Sequence, residues 1–350
     1  MQETDFRKIK TPLSAKITVA DQRYLYFGGT AYLGIPQNKA FIKQYLRGIN
    51  YFGLNNGTSR NNNIQLDIYN EAEQVAATQY GAAAGLITSS GYLAAQLAIK
   101  ELSVSRQVRY APTTHPALWI NETPGVNDSF NSWTKKVVLE INNSPNSDWV
   151  IISNAMNNLY PEVYDFSFIE QLNKDKKIIL IVDDSHGIGV NNEGRGAFAT
   201  LPKAKNIESV VIASMAKALG VDAGLILSSK KIISRLKQTN MFLGASPPSA
   251  AGLFAFINAA AIYKEELEKL KGLTEKFSKT LKENDLWSFI ADFPVFLALE
   301  RDIDKKLLQH RILISSFPYP DKYGDLINRV VLSSWHSQKN IQKLIASLRK

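Results

Sequence analysis

Two stretches of sequence decide the fold: Ile178-Ile179-Leu180-Ile181-Val182-Asp183-Asp184-Ser185-His186-Gly187 and Val210-Val211-Ile212-Ala213-Ser214-Met215-Ala216-Lys217. Each begins as an apolar, β-branched run and ends in polar residues. Apolar runs without polar alternation are typical of strands buried on both faces of a parallel sheet. In open α/β sheets, ligands bind just beyond the carboxyl ends of the strands. The sequence therefore predicts that Asp183, His186 and Lys217 meet in one crevice.

Strand-like and helix-like segments alternate around these stretches, which predicts an α/β fold with a doubly wound, mostly parallel sheet. We expect seven strands in that sheet, over 82–88, 108–111, 136–139, 149–152, 178–182, 210–213 and 224–227. A long helical pattern over 250–281 and mixed strands and helices after it predict a smaller α+β part. The expected division is an N-terminal arm with a hairpin over 1–38, a large domain over 39–262 and a small C-terminal α+β domain over 263–350.

Composition excludes several classes of site. The chain has 350 residues, of which 45% are hydrophobic, and it has no cysteine. Disulfides, thiolate metal sites and a cysteine nucleophile are thereby excluded, and we expect no metal. No apolar run is long enough to cross a bilayer, and the first five residues lack a signal pattern, so we expect a cytoplasmic protein that does not enter the membrane.

The formal net charge of +9 raises the question of nucleic acid. Positive and negative residues are interleaved in the basic segments, as over 264–282, and interleaving on a helical pattern is typical of a solvated face. No zinc spacing or aromatic nucleic-acid motif accompanies them. We expect no nucleic-acid partner, and the surplus charge better suits an anionic substrate.

A candidate anion site follows the predicted strand over 82–88. There Ser89-Ser90-Gly91-Tyr92 leads into a predicted helix over 93–102. The N–H groups and the dipole at such a helix start favour a phosphate. An ordinary strand-to-helix turn is the alternative when this segment is taken alone.

Together these groups match the needs of pyridoxal phosphate, which requires a lysine amine for its aldehyde, an anion for its ring nitrogen and a phosphate cradle. Lys217, Asp183 and the turn at Gly91 are the candidates. Each has an ordinary alternative: a surface lysine, a capping aspartate and a plain turn. Their joint occurrence favours the cofactor.

Longer motifs then point to a family. The segment from Asp183 to Val190, with Glu193-Gly194-Arg195-Gly196, resembles the DDAHGxGVxGxxGRG signature of the α-oxoamine synthases. The segment from Ser214 to Gly220 is similar to their lysine motif TLSKAxG. Three shorter segments match in the family's order, namely 31–35 (NYLGL), 57–60 (GGSR) and 90–96 (SGFxANQ). The resemblance covers most of the chain and implies a fold-type I pyridoxal phosphate transferase, similar to aspartate aminotransferase.

The resemblance also implies site residues. Lys217 would be the Schiff-base lysine and Asp183 the partner of the pyridinium nitrogen. His186 would hydrogen-bond the phenolic oxygen, and His115 would stack on the ring. The other expected contacts to the cofactor are Ser90, the N–H groups of Gly91 and Tyr92, the hydroxyl of Ser214, and Asn154, which stands where the family often has glutamate. Arg329 would hold the carboxylate of the substrate, which a guanidinium matches bidentately.

The activity implied by the resemblance is an acyl transfer. An amino acid, with alanine favoured, would condense with an acyl thioester of coenzyme A or acyl carrier protein and lose carbon dioxide, as in the synthesis of 8-amino-7-oxononanoate for biotin. A homodimer is expected by the same resemblance. Departures occur at Ala31, at Ala216, over 61–64 and at 244–248, where the family's threonine is lacking. The alternatives are another fold-type I enzyme (2-amino-3-ketobutyrate ligase-like, an aldolase or an aminotransferase) and an inert cofactor-binding homologue.

Overall fold

The computed structural model describes residues 6–157, 159–282, 284–319 and 322–349. Residues 1–5, on which the expectation about a signal sequence rests, lie outside the described residues. The α-helices are α1 (Lys39–Phe52), α2 (Ile68–Tyr80), α3 (Gly91–Leu102), α4 (Phe130–Asn143), α5 (Lys230–Lys237), α6 (Asn240–Leu243), α7 (Ala250–Ile257), α8 (Ala260–Leu281), α9 (Ile303–Gln309) and α10 (Gln338–Leu348). Among them, none has the length and apolar character needed to cross a membrane.

The strands are β1 (Lys16–Val19), β2 (Gln22–Phe27), β3 (Ala84–Thr88), β4 (Gln107–Tyr110), β5 (Asp148–Asn154), β6 (Met156–Asn157), β7 (Glu162–Val163), β8 (Lys177–Asp183), β9 (Ile207–Ser214), β10 (Gly224–Ser228), β11 (Trp287–Phe289), β12 (Val295–Ala298), β13 (Ile312–Tyr319) and β14 (Asp325–Val331). The chain divides into two compact units. The central unit comprises residues 41–157 and 163–260, and the terminal unit comprises residues 1–40, 158–162 and 261–350. The predicted domain boundaries after residues 38 and 262 stay a prediction.

The central unit is built on a sheet of six strands in the order β3-β10-β9-β8-β5-β4. The pairs β4–β5, β5–β8 and β8–β9 are parallel, whereas β10 runs antiparallel to both β9 and β3. The expected mostly parallel α/β sheet is therefore confirmed, but over the residues that the structure describes it has six strands and not seven. The difference is the segment 136–139, which we predicted as a strand and which lies in α4.

The reason is visible in the wider sequence of α4. Its buried positions are Phe130, Trp133, Val137, Val138 and Ile141, which recur at helical spacing. Ser129 caps its first turn by accepting a hydrogen bond from the N–H of Ser132 at 3.3 Å. The short apolar run alone resembled a strand because four residues do not distinguish a period of two from one of 3.6.

The two deciding stretches form neighbouring parallel strands, as predicted. In β8, Ile178 to Val182 are all buried, and the register pairs Asp183 with Ile212 of β9. Burial on both faces explains the absence of polar alternation in these strands. Because β8 and β9 are parallel, their carboxyl ends lie at the same edge of the sheet, where the polar residues follow.

The helical segment predicted over 250–281 is two helices, α7 and α8. Asn258 ends α7, since its N–H bonds the carbonyl groups of Phe254 and Phe256, and its side chain bonds Phe254 again at 2.8 Å. Short side-chain hydrogen bonds of this kind compete with continuation of a helix. One apolar stripe of α8 is buried, at Leu267, Leu270, Leu273, Phe277 and Leu281.

The terminal unit has its own sheet of six strands, in the order β1-β2-β13-β14-β12-β11. The hairpin β1–β2, which the sequence predicted, joins this sheet through a parallel pairing of β2 with β13. Phe277 of α8 packs edge-on against Phe296 of β12, with ring centroids 4.7 Å apart. Ser337 caps the last helix, because its hydroxyl accepts from the N–H of Asn340 at 3.3 Å.

His336, which the sequence assigned no site role, is part of this unit's core. Its ring stacks on Phe27 with centroids 4.3 Å apart, and its Nε2 lies 2.8 Å from the carbonyl oxygen of Tyr26. Burial lowers its pKa to about 4, so the ring is neutral at physiological pH. His336 therefore has a structural role.

Candidate active site

The end of β8 supplies the first part of the site. Asp183 is its last residue, and its Oδ1 accepts a hydrogen bond from the N–H of Ser185 at 2.8 Å. Side chains of aspartate commonly close a turn in this way. The turn carries the chain on to His186, which is half-buried. Asp183 and His186 are thus placed at the carboxyl edge of the sheet, as predicted.

The ends of β8 and β9 are joined by a hydrogen bond. The hydroxyl of Ser185 accepts from the N–H of Ser214, the last residue of β9, at 2.8 Å. Ser185 is 8% exposed. Lys217 follows three residues after Ser214, in a turn closed by the bond from the N–H of Val221 to the carbonyl of Met215 at 3.2 Å. This arrangement brings the polar ends of both deciding stretches together.

Lys217 is half-buried, and its electrostatic environment ties it to two other predicted residues. Burial lowers the pKa of the Lys217 ammonium, while the negative charge of Asp183 raises it to a smaller extent. The pKa of His115 is also lowered, first by burial of the imidazole, although the residue as a whole is exposed. The charge of Asp183 opposes that change, and the charge of Lys217 adds to it. The charge of Asp183 therefore acts on both Lys217 and His115, and the charge of Lys217 acts on His115.

His115 is held by Asn154. The Asn154 Oδ1 accepts from the N–H of His115 at 3.1 Å, and its Nδ2 donates to the carbonyl of Thr113 at 2.8 Å. The Nδ1 of His115 in turn accepts from the N–H of Ala117 at 3.1 Å. That bond requires an unprotonated Nδ1, which matches the lowered pKa. Since both polar atoms of the Asn154 amide bind this loop, a direct contact of Asn154 with the cofactor stays a prediction.

The segment predicted to be an anion cradle lies at the start of α3. Ser90 caps the helix, because its hydroxyl accepts from the N–H of Leu93 at 3.1 Å. Within the described part of the chain, the N–H groups of Gly91 and Tyr92 have no hydrogen-bond partner. Free N–H groups at the start of a helix bind anions well. The Ser90 hydroxyl is occupied by its capping role, so its predicted contact with a cofactor stays a prediction.

Gly91 also brings α3 against β9. A Cβ at position 91 would lie 2.7 Å from the Cβ and 2.8 Å from the Cα of Ser214. Only glycine allows so close an approach. The helix start, Ser214 and the turn to Lys217 therefore form one continuous surface. A phosphate bound at the two free N–H groups fits there, with the amine of Lys217 and the carboxylate of Asp183 supplied by the strand ends.

Arg329 lies in the terminal unit, on β14. Its guanidinium packs over the ring of Phe317, 5.0 Å from the ring centroid. Burial lowers its pKa, and the nearby Tyr32 opposes this. Tyr32 itself is buried beside Phe293, with ring centroids 5.6 Å apart. The predicted role of Arg329 in binding a substrate carboxylate stays a prediction.

Sequence reasoning overlooked Asp184 and Ser185. Asp184 is 2% exposed, and its Oδ2 accepts from the N–H of Ala197 at 2.7 Å. Ser185 joins the two strand ends, as described above. The sequence did offer a signal for Ser185. The family signature has alanine at this position, whereas this chain has a side chain with a hydroxyl group.

Arg60, in the segment that resembles GGSR, contacts residues that have no predicted role in the site. Its Nη1 lies 3.2 Å from the Glu73 carboxylate, and the guanidinium packs 4.9 Å from the centroid of Tyr69 and 5.2 Å from that of Phe242. The Lys237 ammonium pairs with the same carboxylate. Buried ion pairs of this kind are costly to break, which indicates a structural role.

A family model described as aminotransferase class I and II matches residues 31–348 of this chain. Among curated proteins, the 8-amino-7-oxononanoate synthase of Geotalea daltonii is 24% identical over 98% of this chain and 92% of its own length. A putative 8-amino-7-oxononanoate synthase of Thermodesulfovibrio yellowstonii is 23% identical over 95% of this chain and 89% of its own length.

Two solved structures show the same fold. A serine palmitoyltransferase from S. paucimobilis, solved with bound PLP, superposes with a TM-score of 0.82 at 14% identity and covers 97% of this chain and 90% of its own. The 8-amino-7-oxononanoate synthase of Francisella tularensis gives a TM-score of 0.67 at 18% identity, with 93% and 97% covered. The predicted fold class and the resemblance to α-oxoamine synthases are confirmed.

Proposed function

The chain belongs to the aminotransferase class I and II family, and from that premise we propose that it is a pyridoxal-phosphate-dependent C-acyltransferase of the α-oxoamine synthase type. The observation that carries the proposal is the hydrogen bond between Ser185 and Ser214, which joins the ends of β8 and β9 and so the segments that carry Asp183, His186 and Lys217. The charge of Asp183 also acts on Lys217 and on His115. The names of the curated relatives support the finer part of it. The substrates are an amino acid, with alanine favoured, and an acyl thioester of coenzyme A or acyl carrier protein.

When bound, pyridoxal phosphate supplies an aldehyde for an amine and a ring that accepts negative charge from the substrate α-carbon. Lys217 would hold the group through Nζ, and the same atom, once the amino group of the substrate had taken its place, would accept the α-proton. Its lowered pKa favours the neutral amine that both tasks require. Asp183 holds a proton at the ring nitrogen, because a carboxylate beside a basic nitrogen favours its charged form.

The remaining residues bind and orient. The N–H groups of Gly91 and Tyr92 bind the phosphate, with the Ser214 hydroxyl as a further donor. His115 covers one face of the ring, and His186 donates to its phenolic oxygen. Arg329 binds the carboxylate of the amino acid. A cytoplasmic homodimer is part of the same proposal.

Borohydride reduction tests the cofactor site directly. The protein loaded with pyridoxal phosphate is treated with borohydride, digested and analysed by mass spectrometry. We expect the reduced adduct on Lys217 and no adduct in Lys217→Ala. Lys176 is the internal control, because its buried ammonium is bound to the carbonyl of Ser144 at 2.6 Å. A wild-type protein without an adduct on Lys217 would overturn the proposal.

A matrix of amino acids and acyl thioesters tests the reaction. Alanine, glycine and serine are each combined with thioesters of increasing chain length, and both free thiol and carbon dioxide are measured. Release of both with one pair supports acyl transfer and identifies the substrates. Exchange of the amino group with a keto acid, without thiol release, would identify an aminotransferase. An unchanged visible spectrum with every amino acid would identify an inert homologue.

A further inference from the structure

The proposed chemistry makes no use of Asp184, although this residue lies between Asp183 and the turn that carries His186. Its carboxyl is buried, and Oδ2 accepts from the N–H of Ala197 at 2.7 Å. Ala197 is 13 residues further along the chain, so this one bond closes a loop. We call residues 187–196 the glycine loop.

Two glycines, one at each end of the glycine loop, enclose this carboxyl. A Cβ on Gly187 would lie 2.1 Å from Oδ1 of Asp184, and a Cβ on Gly196 would lie 2.2 Å from its Oδ2. Any other residue type at either position would displace this carboxyl or the backbone. The carboxyl of Asp184 therefore contacts the first and the last residue of the loop at once.

The glycine loop itself has an unfavourable backbone that depends on support. Asn192 and Glu193 have φ angles of 52° and 58°, in the left-handed region that L-residues adopt rarely. Two internal hydrogen bonds cross the loop, from the N–H of Gly189 to the carbonyl of Gly194 and from the N–H of Gly196 to the carbonyl of Asn191, both at 3.0 Å. Conformations of this kind persist where the surroundings hold them.

His186 lies between two residues, Ser185 and Gly187, that are each held by contacts with other parts of the structure. On one side, the Ser185 hydroxyl is bound to β9 through Ser214. On the other side, Gly187 lies against the Asp184 carboxyl, and its N–H bonds the Asp184 carbonyl at 3.1 Å. The position of His186 thus depends on Gly187 as much as on Ser185.

We propose that Asp184 is a positioning residue, whose carboxyl fastens both ends of the glycine loop and so keeps His186 in place beside Asp183. The importance of this for catalysis rests on the proposed function, because only there does His186 contact the cofactor. The fastening itself is a property of the protein alone and is tested without the reaction.

Hydrogen exchange of the full-length protein, with and without pyridoxal phosphate, tests the fastening. In Asp184→Ala we expect the amides of residues 187–197 to exchange at least tenfold faster than in wild type, while those of β5 stay unchanged. The matched control is Asp165→Ala, which removes an exposed carboxylate that also accepts a backbone N–H, that of Ser167, at 2.9 Å. The control variant should leave the glycine loop unchanged.

Loop exchange in Asp184→Ala within twofold of wild type would overturn the proposal. If that variant does not fold, Asp184→Leu decides. Its side chain branches at the same position and has a similar size, but it has no oxygen to accept the N–H of Ala197, so we expect at least threefold faster exchange in the loop. Wild-type exchange in Asp184→Leu would then count against the fastening.

A second readout separates this inference from the proposed function. The affinity for pyridoxal phosphate, followed by its visible absorbance, should fall at least fivefold in Asp184→Ala and stay unchanged in Asp165→Ala. Borohydride should still place the adduct on Lys217 in both variants. A wild-type protein without any adduct would refute the proposed function and leave the exchange result standing, whereas unchanged exchange refutes only the role of Asp184.

Discussion

The hydroxyl of Ser185 accepts a hydrogen bond from the backbone N–H of Ser214 at 2.8 Å, and this bond joins the carboxyl ends of β8 and β9. Asp183 and His186 lie on one side of it, and Lys217 lies on the other. The parallel pairing of the strands ends at Asp183 and Ile212, so the register alone does not place the residues that follow. The bond extends the alignment of the two strands into the turns of the site.

Replacement of Ser185 by alanine tests the contribution of this bond. The N–H of Ser214 would lose its buried acceptor, which typically costs roughly 1–2 kcal/mol in the free energy of unfolding. We expect a loss of this size in urea-induced unfolding, together with weaker binding of pyridoxal phosphate.

Ser103→Ala is the matched control for this prediction. Its hydroxyl is also buried, but it has no hydrogen-bond partner in the described part of the chain. Removal of an unsatisfied hydroxyl is neutral or stabilising. Equal losses in the two variants would contradict the assigned role of Ser185.

Asn154→Ala should release the loop that carries His115. The change leaves the N–H of His115 and the carbonyl of Thr113 without partners in a partly buried region, and we expect a loss of about 1–2 kcal/mol in stability. The control is Asn142→Ala, since Asn142 makes two similar bonds to the backbone of Gln171 and Asn173 nearer the surface. Water replaces those partners, so its loss should be below about 1 kcal/mol in the same denaturation experiment.

Gly91→Ala should damage the cradle. The new methyl group would lie 2.7 Å from the Ser214 side chain and 2.8 Å from its backbone, and overpacking of this kind costs about 1–3 kcal/mol. Pyridoxal phosphate should bind more weakly because α3 moves away from β9. Gly272→Ala is the opposite case, because no atom lies within 4 Å of the added Cβ in the middle of α8. That variant should gain roughly 0.5–1 kcal/mol, and thermal unfolding distinguishes the two.

The charge on Lys217 should make the cofactor-free protein less stable at neutral pH. Burial lowers the pKa of the folded-state ammonium below its ordinary value of 10.5, so the unfolded chain binds the proton more tightly. The penalty is present when the lysine is charged in both states and disappears as the pH rises above 10.5. We expect Lys217→Met to have a higher melting temperature than wild type at pH 7 and a similar one near pH 11. A lower melting temperature at pH 7 would show that the ammonium stabilises the fold.

Asp184 should make stability fall as the pH rises from about 4 to about 7. Burial is the main cause that raises its pKa to about 7; the N–H of Ala197 lowers it, the charge of Asp183 raises it, and the N–H of Gly187 lowers it. Because the folded-state pKa is above the unfolded-state value of 3.8, the stabilising contribution is complete below pH 4 and lost as the pH passes 7. At about 1.4 kcal/mol for each pH unit between the two pKa values, the free energy of unfolding falls by about 4 kcal/mol in total.

The measurement is the free energy of unfolding between pH 4.5 and 7.5. Asp184→Asn should flatten its decline with pH, since an amide does not titrate. Asp165→Asn should not flatten it, because the pKa of Asp165 is lowered by the N–H and hydroxyl of Ser167, and that exposed carboxylate is ionised across the range. Parallel curves for wild type and Asp184→Asn would show that another group titrates.

The assignment of segments as strands or helices illustrates what the pattern of residues could and could not predict. Continuous apolar runs identified β8 and β9 because their side chains are buried on both faces. The segment 136–139 was assigned wrongly because a short apolar run satisfies the helical and the strand period equally. The capping by Ser129 and the buried ring of Trp133 decided for a helix, and both lie outside the four residues considered.

The sequence by itself determined the type of fold and the chemical groups of the site. Residue periodicity depends only on local sequence, and it predicted a mostly parallel sheet. The absence of cysteine excluded thiolate chemistry. The motifs from Ala31 to Lys217 predicted a lysine and an aspartate at the carboxyl edge of that sheet. Tertiary structure alone decided which groups support them. Three hydrogen bonds do this. They join Asp184 to Ala197, 13 positions away, Ser185 to Ser214, 29 positions away, and Asn154 to His115, 39 positions away. Such contacts leave no periodic signal, because they arise only when separate strands are brought side by side.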